Sequence, residues 1–231
     1  MFTNISDRYD LLNSLISLNL DAPWRRKMVR ACELRGSENV LDIGTGSGVS
    51  AFELARSLTP AGLVVGADFA HGMLQVAQRK LVQKECASLT ARAKAGCAFV
   101  NADALELPFA DDTFDAVTSA FVLRNLVDIQ KGFEEMRRVA KPGGRVVALE
   151  ICRPDNILLK ALFRIYFYGW VPLLGGLLSR FDAYKYLPNS LTYVPVKSDL
   201  TALMSASGLQ NARYDLLAGG MAVLYSGVKI G

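Results

Sequence analysis

Short apolar runs recur through the middle of this chain and alternate with longer segments of helical periodicity. The runs at 40–43, 63–67, 98–100, 116–119 and 145–150 are nearly continuous in apolar residues, as expected for strands buried on both faces of a parallel sheet. The segments between them, at 49–58, 72–95 and 130–139, read as helices. This alternation predicts an α/β fold with a doubly wound, mostly parallel sheet. Upstream, Leu11, Leu12, Leu15, Ile16 and Leu18, then Trp24, Met28 and Val29 with basic residues between them, predict helix over 8–33. Lys141-Pro142-Gly143-Gly144 predicts a tight turn feeding the fifth strand, because proline presets the turn and glycine accepts left-handed φ. A helix near 197–207 and strands near 211–216 and 221–228 complete the sheet.

The pattern breaks at 155–192, which is rich in apolar and aromatic side chains such as Leu158, Leu159, Phe163, Tyr166, Trp170 and Leu173. Its longest uncharged stretch runs from 165 to 179, short of the roughly eighteen residues of a membrane-spanning helix. Pro172, Gly175 and Gly176 interrupt it, and Lys160 and Arg164 lie four apart on one helical face. Two readings stand: a helical layer packed over the sheet, or an apolar lid that admits a lipid-like substrate.

The chemistry concentrates where the first strand ends. Val40-Leu41-Asp42-Ile43 runs into Gly44-Thr45-Gly46-Ser47-Gly48 and then into a helix. Such a turn lets a nucleoside approach the main chain, with the positive helix end behind it. The second strand ends at Asp68, placed to accept hydrogen bonds from ribose hydroxyls or to cap the next helix. After the third strand, Asp103 is placed to accept from an adenine amino group while small Ala104 leaves room for the ring. Dinucleotide binding is the rival: from Gly44 its third glycine is missing, and from Gly46 the match Gly46-x-Gly48-x-x-Ala51 is weak. A carboxylate at Asp42 gains nothing beside a pyrophosphate, but it suits a cationic sulfonium cofactor. Asp42 also reads as a strand-end residue bonding the loop amides. Three acid-tipped strand ends in register, at Asp42, Asp68 and Asp103, favour S-adenosyl-L-methionine.

Composition narrows the options. The 231 residues suffice for a single domain over 1–231, with a helical cap at 1–35 and an apolar lid insertion at 155–192. Net charge is +4, with no basic run that calls for nucleic acid. Four scattered cysteines and one histidine argue against a zinc site or a disulfide framework, so no metal is expected. His71 reads as a capping or surface residue. The first residues lack signal-peptide character, and the cytoplasm is the expected compartment.

Together these segments resemble class I S-adenosylmethionine-dependent methyltransferases and, more narrowly, the UbiE/MenG family of ubiquinone/menaquinone biosynthesis C-methyltransferases. The resemblance rests on Arg8-Tyr9-Asp10-Leu11-Leu12-Asn13, Trp24-Arg25, the glycine loop, and Val65-Gly66-Ala67-Asp68. It continues through Leu107-Pro108-Phe109, Phe121-Val122-Leu123-Arg124-Asn125, Leu149-Glu150, Tyr184-Lys185-Tyr186-Leu187-Pro188 and Gly219-Gly220. It implies a Rossmann-like sheet of seven strands, the last antiparallel. It also implies cofactor contacts at Gly44, Thr45, Gly46, Ser47, Gly48, Asp68, Asp103 and Ala104 and near Ala120, and Asp42 and Phe69 are expected to join them. The chain departs from the family pattern at Ala120, Val122 and Tyr225, where serine, glycine and histidine are common.

The implied reaction is C-methylation of a polyprenyl hydroquinone, demethylmenaquinol to menaquinol first. A methoxy-polyprenyl-benzoquinol or another small or lipid acceptor are the alternatives, and a scaffold without chemistry is the non-enzymatic reading. A ring carbon of a hydroquinone is a poor nucleophile until a hydroxyl loses its proton, so a base and a phenolate stabiliser are needed. Arg124 stays protonated. It reads as a phenolate stabiliser or water-orienting group with Asn125 beside it, or as a salt bridge at the strand exit. Tyr9, Asp10, Tyr184 and Tyr186 are expected around the ring, and Phe163 and Trp170 along the prenyl tail, with deprotonation through water. Peripheral contact with the inner face of a membrane is the partner expectation beyond the quinol. Oligomeric state is open, a homodimer being one option.

Overall fold

The computed structural model describes residues 20–83, 96–152, 154–165 and 197–231. Tyr9, Asp10, Trp170, Tyr184 and Tyr186 lie outside the described residues, as do 8–19, 84–95, the apolar segment beyond 165 and the side chain of Phe163.

Among the described residues, seven strands form one sheet: β1 (Asn39–Ile43), β2 (Leu63–Asp68), β3 (Cys97–Asn101), β4 (Phe114–Ala120), β5 (Ala140–Ile151), β6 (Leu209–Leu217) and β7 (Ala222–Lys229), in the order β3-β2-β1-β4-β5-β7-β6. The pairs from β3 to β5 are parallel, and β7 runs antiparallel to both neighbours. This is the doubly wound sheet the sequence predicts. The strand order reverses between β1 and β4, and a crevice beyond the carboxyl ends of strands at such a switch point is where open α/β sheets bind ligands.

Both faces of the central strands are covered, which is why those strands read as apolar runs rather than alternating ones. Helices α1 (Asp21–Ala31) and α2 (Val49–Ala55) bury Trp24, Met28, Phe52 and Leu54 against Val40, Val64, Val147 and Leu149. On the opposite face, α4 (Ile129–Val139) and α6 (Lys197–Ala206) bury Phe133, Met136, Leu200 and Met204 against Leu41, Ile43, Val146 and Ala148. Helices α3 (His71–Val82) and α5 (Ile157–Ile165) follow β2 and β5. Asp128 caps α4 by accepting from the Lys131 amide at 2.9 Å.

Several boundaries differ from the sequence reading. Helix α2 stops at Ala55, short of 58, and Thr59 is drawn away to Gly36, whose carbonyl accepts from its amide at 2.7 Å and its hydroxyl at 2.9 Å. Pro60, which disfavours helical backbone at Thr59, reinforces the exit. Lys141–Gly144 is not a turn ahead of β5 but an irregular excursion within it. Register passes from Phe114↔Ala140 to Ala116↔Arg145, so Asp115 alone faces that excursion. Asp115 stabilises it by accepting from Lys141 Nζ at 2.8 Å.

Candidate active site

The strand exits at the switch point converge on the glycine loop. Gly44, Gly46 and Gly48 all adopt left-handed backbone (φ +63°, +56° and +85°), but their surroundings differ. A Cβ on Gly44 would sit 2.2 Å from Val122 Cγ2, and one on Gly48 would sit 2.9 Å from Phe52. At Gly46 a Cβ would meet only Met73 Cε, at 3.6 Å. The room expected at all three glycines is therefore confined to Gly46, because Val122 and Phe52 fill the other two cradles. Three loop amides are already committed: Thr45 N to Ala67 O, Gly46 N to Asp68 Oδ2 and Gly48 N to Thr45 O. What Gly46 offers a ligand is close approach to backbone rather than a spare N–H.

The acids expected in register form a staircase instead. Asp42 pairs with Gly66, two residues before Asp68, and Asp68 pairs with Asn101, two residues before Asp103. Depth changes accordingly. Asp42 is buried, Asp68 half-buried and Asp103 exposed. Asp42 accepts from the hydroxyls of Thr45 (2.7 Å) and Thr118 (2.9 Å). Burial pushes its carboxyl up to about 6, against the lowering effect of those two hydroxyls and of Arg25.

Asp68 joins two loops rather than capping α3, whose N-cap is Ala70. Its Oδ2 accepts from Gly46 N and its Oδ1 from Ala70 N, both at 2.7 Å. Each oxygen keeps a lone pair in reserve. Asn101, to which sequence reasoning assigns no role, donates to the carbonyls of Asp68 (2.8 Å) and Phe69 (2.9 Å) and fixes the β2 exit. Phe69 beside it leaves 78% of its surface exposed. Asp103 accepts from the Leu105 amide at 2.9 Å in a local turn, and Ala104 packs at the edge of the core. Arg138 holds that loop in place by donating to Leu107 O (2.9 Å), Phe109 O (2.7 Å) and Glu135 (2.8 Å). His71 opens α3, exposed and in contact with Gln75.

The β4 exit carries the other half of the site. Ala120 is buried, Phe121 adopts φ +64° despite its side chain, and Val122 leads into the short helical turn Leu123–Asn125. The Phe121 ring lies 5.1 Å from the Arg25 guanidinium and 6.0 Å from that of Arg124, within cation–π range. Arg124 Nη1 is ion-paired to Glu150 at the end of β5, with side-chain exposures of 9% and 1%. Sequence reasoning leaves Glu150 without a role, though a charge closing an apolar strand is a visible signal. The Tyr225 hydroxyl is buried and finds no hydrogen-bond partner among the described residues, and burial raises its pKa.

These exits can hold an adenosyl sulfonium compound. The cradle at Gly46 is open, the Asp68 oxygens have lone pairs to give, and an exposed aromatic face at Phe69 adjoins them. Glycine loop and Arg124 turn also abut, through Val122 against Gly44.

The ubiE/COQ5 methyltransferase family matches residues 1–229 of this chain. The "Ubiquinone/menaquinone biosynthesis C-methyltransferase UbiE" of Geobacter sulfurreducens is 40% identical, over 99% of this chain and 87% of its own. The "Demethylmenaquinone methyltransferase" of Thermus thermophilus is 43% identical, over 98% and 99%. A crystal structure of a SAM-dependent methyltransferase from Aquifex aeolicus superposes with TM-score 0.64 at 17% identity, covering 89% of each chain, a likeness of fold. The sheet, the glycine loop at its switch point and this match along nearly the whole chain agree: the protein belongs to the ubiE/COQ5 methyltransferase family of S-adenosylmethionine-dependent enzymes.

Proposed function

We propose that this enzyme C-methylates the ring of a polyprenyl hydroquinone, converting demethylmenaquinol to menaquinol. Quinone C-methylation is the reaction for which its relatives are named, and the Thermus thermophilus relative is named for demethylmenaquinone. The observation that carries the reading is the contact between Val122 and Gly44, which sets the Arg124-Asn125 turn directly against the cofactor loop. A phenolate stabiliser must lie within reach of the methyl donor, and the nearness of the Arg124-Asn125 turn to this loop supports the reading.

In this reading the Gly44–Gly48 loop and Ala120 would hold the methionine end of the cofactor, with Asp42 bracing Thr45. Asp68 would accept from the ribose hydroxyls. Phe69, Asp103 and Ala104 would hold the adenine. S-adenosylmethionine, when bound, supplies an electrophilic methyl group. Arg124 and Asn125 stabilise the oxygen of the acceptor ring as its hydroxyl is deprotonated through water, which raises electron density at the ring carbon. Positioning provides much of the remaining acceleration. Tyr9, Asp10, Tyr184 and Tyr186 would border the ring, and Phe163 and Trp170 the tail.

Quinone profiling by mass spectrometry in a deletion strain tests the assignment. Accumulated demethylmenaquinone is the expected result; an unchanged quinone pool defeats it, and loss of ubiquinone alone would move the substrate to the benzoquinol.

The same reading calls for access to a membrane-dissolved substrate. On α5, Ile157, Leu158 and Ile165 are 86%, 66% and 62% exposed, with Lys160 and Arg164 exposed beside them. An apolar face flanked by cations suits an anionic lipid surface. The protein is expected to float with vesicles containing anionic lipid, and Leu158→Asp to stay behind; equal flotation of both would remove this role for α5.

A further inference from the structure

We infer that Glu150 is the positioning residue for Arg124, holding the guanidinium so that its unshared N–H faces the acceptor oxygen; this deepens the reading in which Arg124 stabilises the phenolate. Glu150 grips Arg124 at two points. One of its oxygens, Oε1, receives Arg124 Nη1, and the other, Oε2, accepts from the Arg124 backbone amide at 3.3 Å. Main chain and side-chain tip of the same residue are thus tied to one carboxylate. That carboxylate is itself immobile. It lies one residue before the end of β5, is 1% exposed, and its Oε1 also accepts from its own neighbour, Ile151 N, at 2.9 Å.

A carboxylate offers about four lone-pair sites, and these three donors leave it little capacity to take a substrate proton. Positioning, rather than general-base chemistry, is the role this leaves. On the guanidinium side, the Phe121 ring lies 6.0 Å from Cζ, on a backbone turned to φ +64° at the β4 exit. Arg124 Nε is buried and has no hydrogen-bond partner among the described residues. That donor lies at the ligand edge of the sheet and is available to an oxygen that arrives with the substrate. An arginine side chain carries large rotamer freedom. Fixing it before the substrate binds keeps that ordering out of the chemical step.

The test is a double-mutant cycle on the full-length enzyme, read as kcat and KM together with calorimetric binding of S-adenosylhomocysteine. Glu150→Gln keeps shape and removes charge, and its kcat is expected to fall about tenfold to a hundredfold with S-adenosylhomocysteine affinity unchanged. In an Arg124→Met background the same substitution should cost less than about threefold, as for residues that act as a unit. Glu150→Asp, which keeps the buried charge compensated but shortens the arm, guards against misfolding and should show the same kcat loss with the same retained affinity. The inference is overturned if Glu150→Gln and Glu150→Asp keep full kcat while Arg124→Met loses it. Additive losses, or losses of kcat that track losses of cofactor affinity in both variants, overturn it too. An active Arg124→Met enzyme would instead remove the phenolate-stabilising role beneath it.

Discussion

Gly44→Ala puts a methyl group where Val122 already stands. The new Cβ would lie 2.2 Å from Val122 Cγ2, 3.0 Å from Cγ1 and 3.2 Å from Cβ, so either the loop or the β4 exit must move. Forcing an extra carbon into packed surroundings costs about 1–3 kcal/mol. Left-handed backbone, φ +63° here, adds about 1–2 kcal/mol for a residue with a Cβ. A total of about 2–5 kcal/mol is a large part of the roughly 5–15 kcal/mol that holds an ordinary domain folded.

Urea unfolding followed by tryptophan fluorescence measures the loss, since Trp24 is buried beside Phe121. Val122→Ala removes both methyl groups that obstruct the site. Added to Gly44→Ala it should return the packing share, leaving only the backbone share of about 1–2 kcal/mol and the loss from Val122→Ala itself. Gly46→Ala supplies the contrast. Its φ of +56° carries a similar backbone cost, but its Cβ meets only Met73 Cε at 3.6 Å. It should unfold more like wild type while losing S-adenosylhomocysteine affinity. A Gly44→Ala protein within about 1 kcal/mol of wild type, below the overpacking range, would refute the steric account. So would a Val122→Ala partner that gives purely additive loss.

Asp42 links stability to pH. Its folded-state carboxyl, raised by burial from 3.8 to about 6, holds its proton more tightly than in the unfolded chain. Wild type should therefore lose about 2 kcal/mol relative to Asp42→Asn as pH rises from about 4 to about 7, and the difference should level off above that. Urea midpoints at pH 4 and pH 7 measure it, and parallel pH curves for the two proteins would contradict it. Arg138→Met strips Glu135, a buried carboxylate, of its bidentate partner and frees the loop that carries Asp103 and Ala104. Because Arg138 is about a third exposed, the expected loss is about 3 kcal/mol, at the low end for a broken buried pair. Cofactor affinity should fall with it; a variant that binds S-adenosylhomocysteine normally would show that the loop stands without Arg138.

The strands and the glycine loop were legible in the chain because their causes are local. A strand buried on both faces needs an unbroken apolar run, as at Val40-Leu41 and Val146-Val147, and a left-handed turn admits few residues besides glycine. The motifs around Arg124 were legible through their resemblance to the family pattern. What the chain alone did not disclose lies in pairings across long sequence separations. Gly44 must be glycine because of Val122, and Asp42 is braced by Thr118, two strands' worth of sequence away. The three acids fall into a staircase rather than a row because register is set by strand pairing, and a carboxylate two residues further along sits at another depth. Glu150 becomes Arg124's partner only because β4 and β5 lie side by side. The sequence determined the sheet, the glycine turn and the kind of chemistry. Which atoms meet at the site was decided by tertiary packing, since sterics and electrostatics act over a few ångströms of space however far apart the residues lie along the chain.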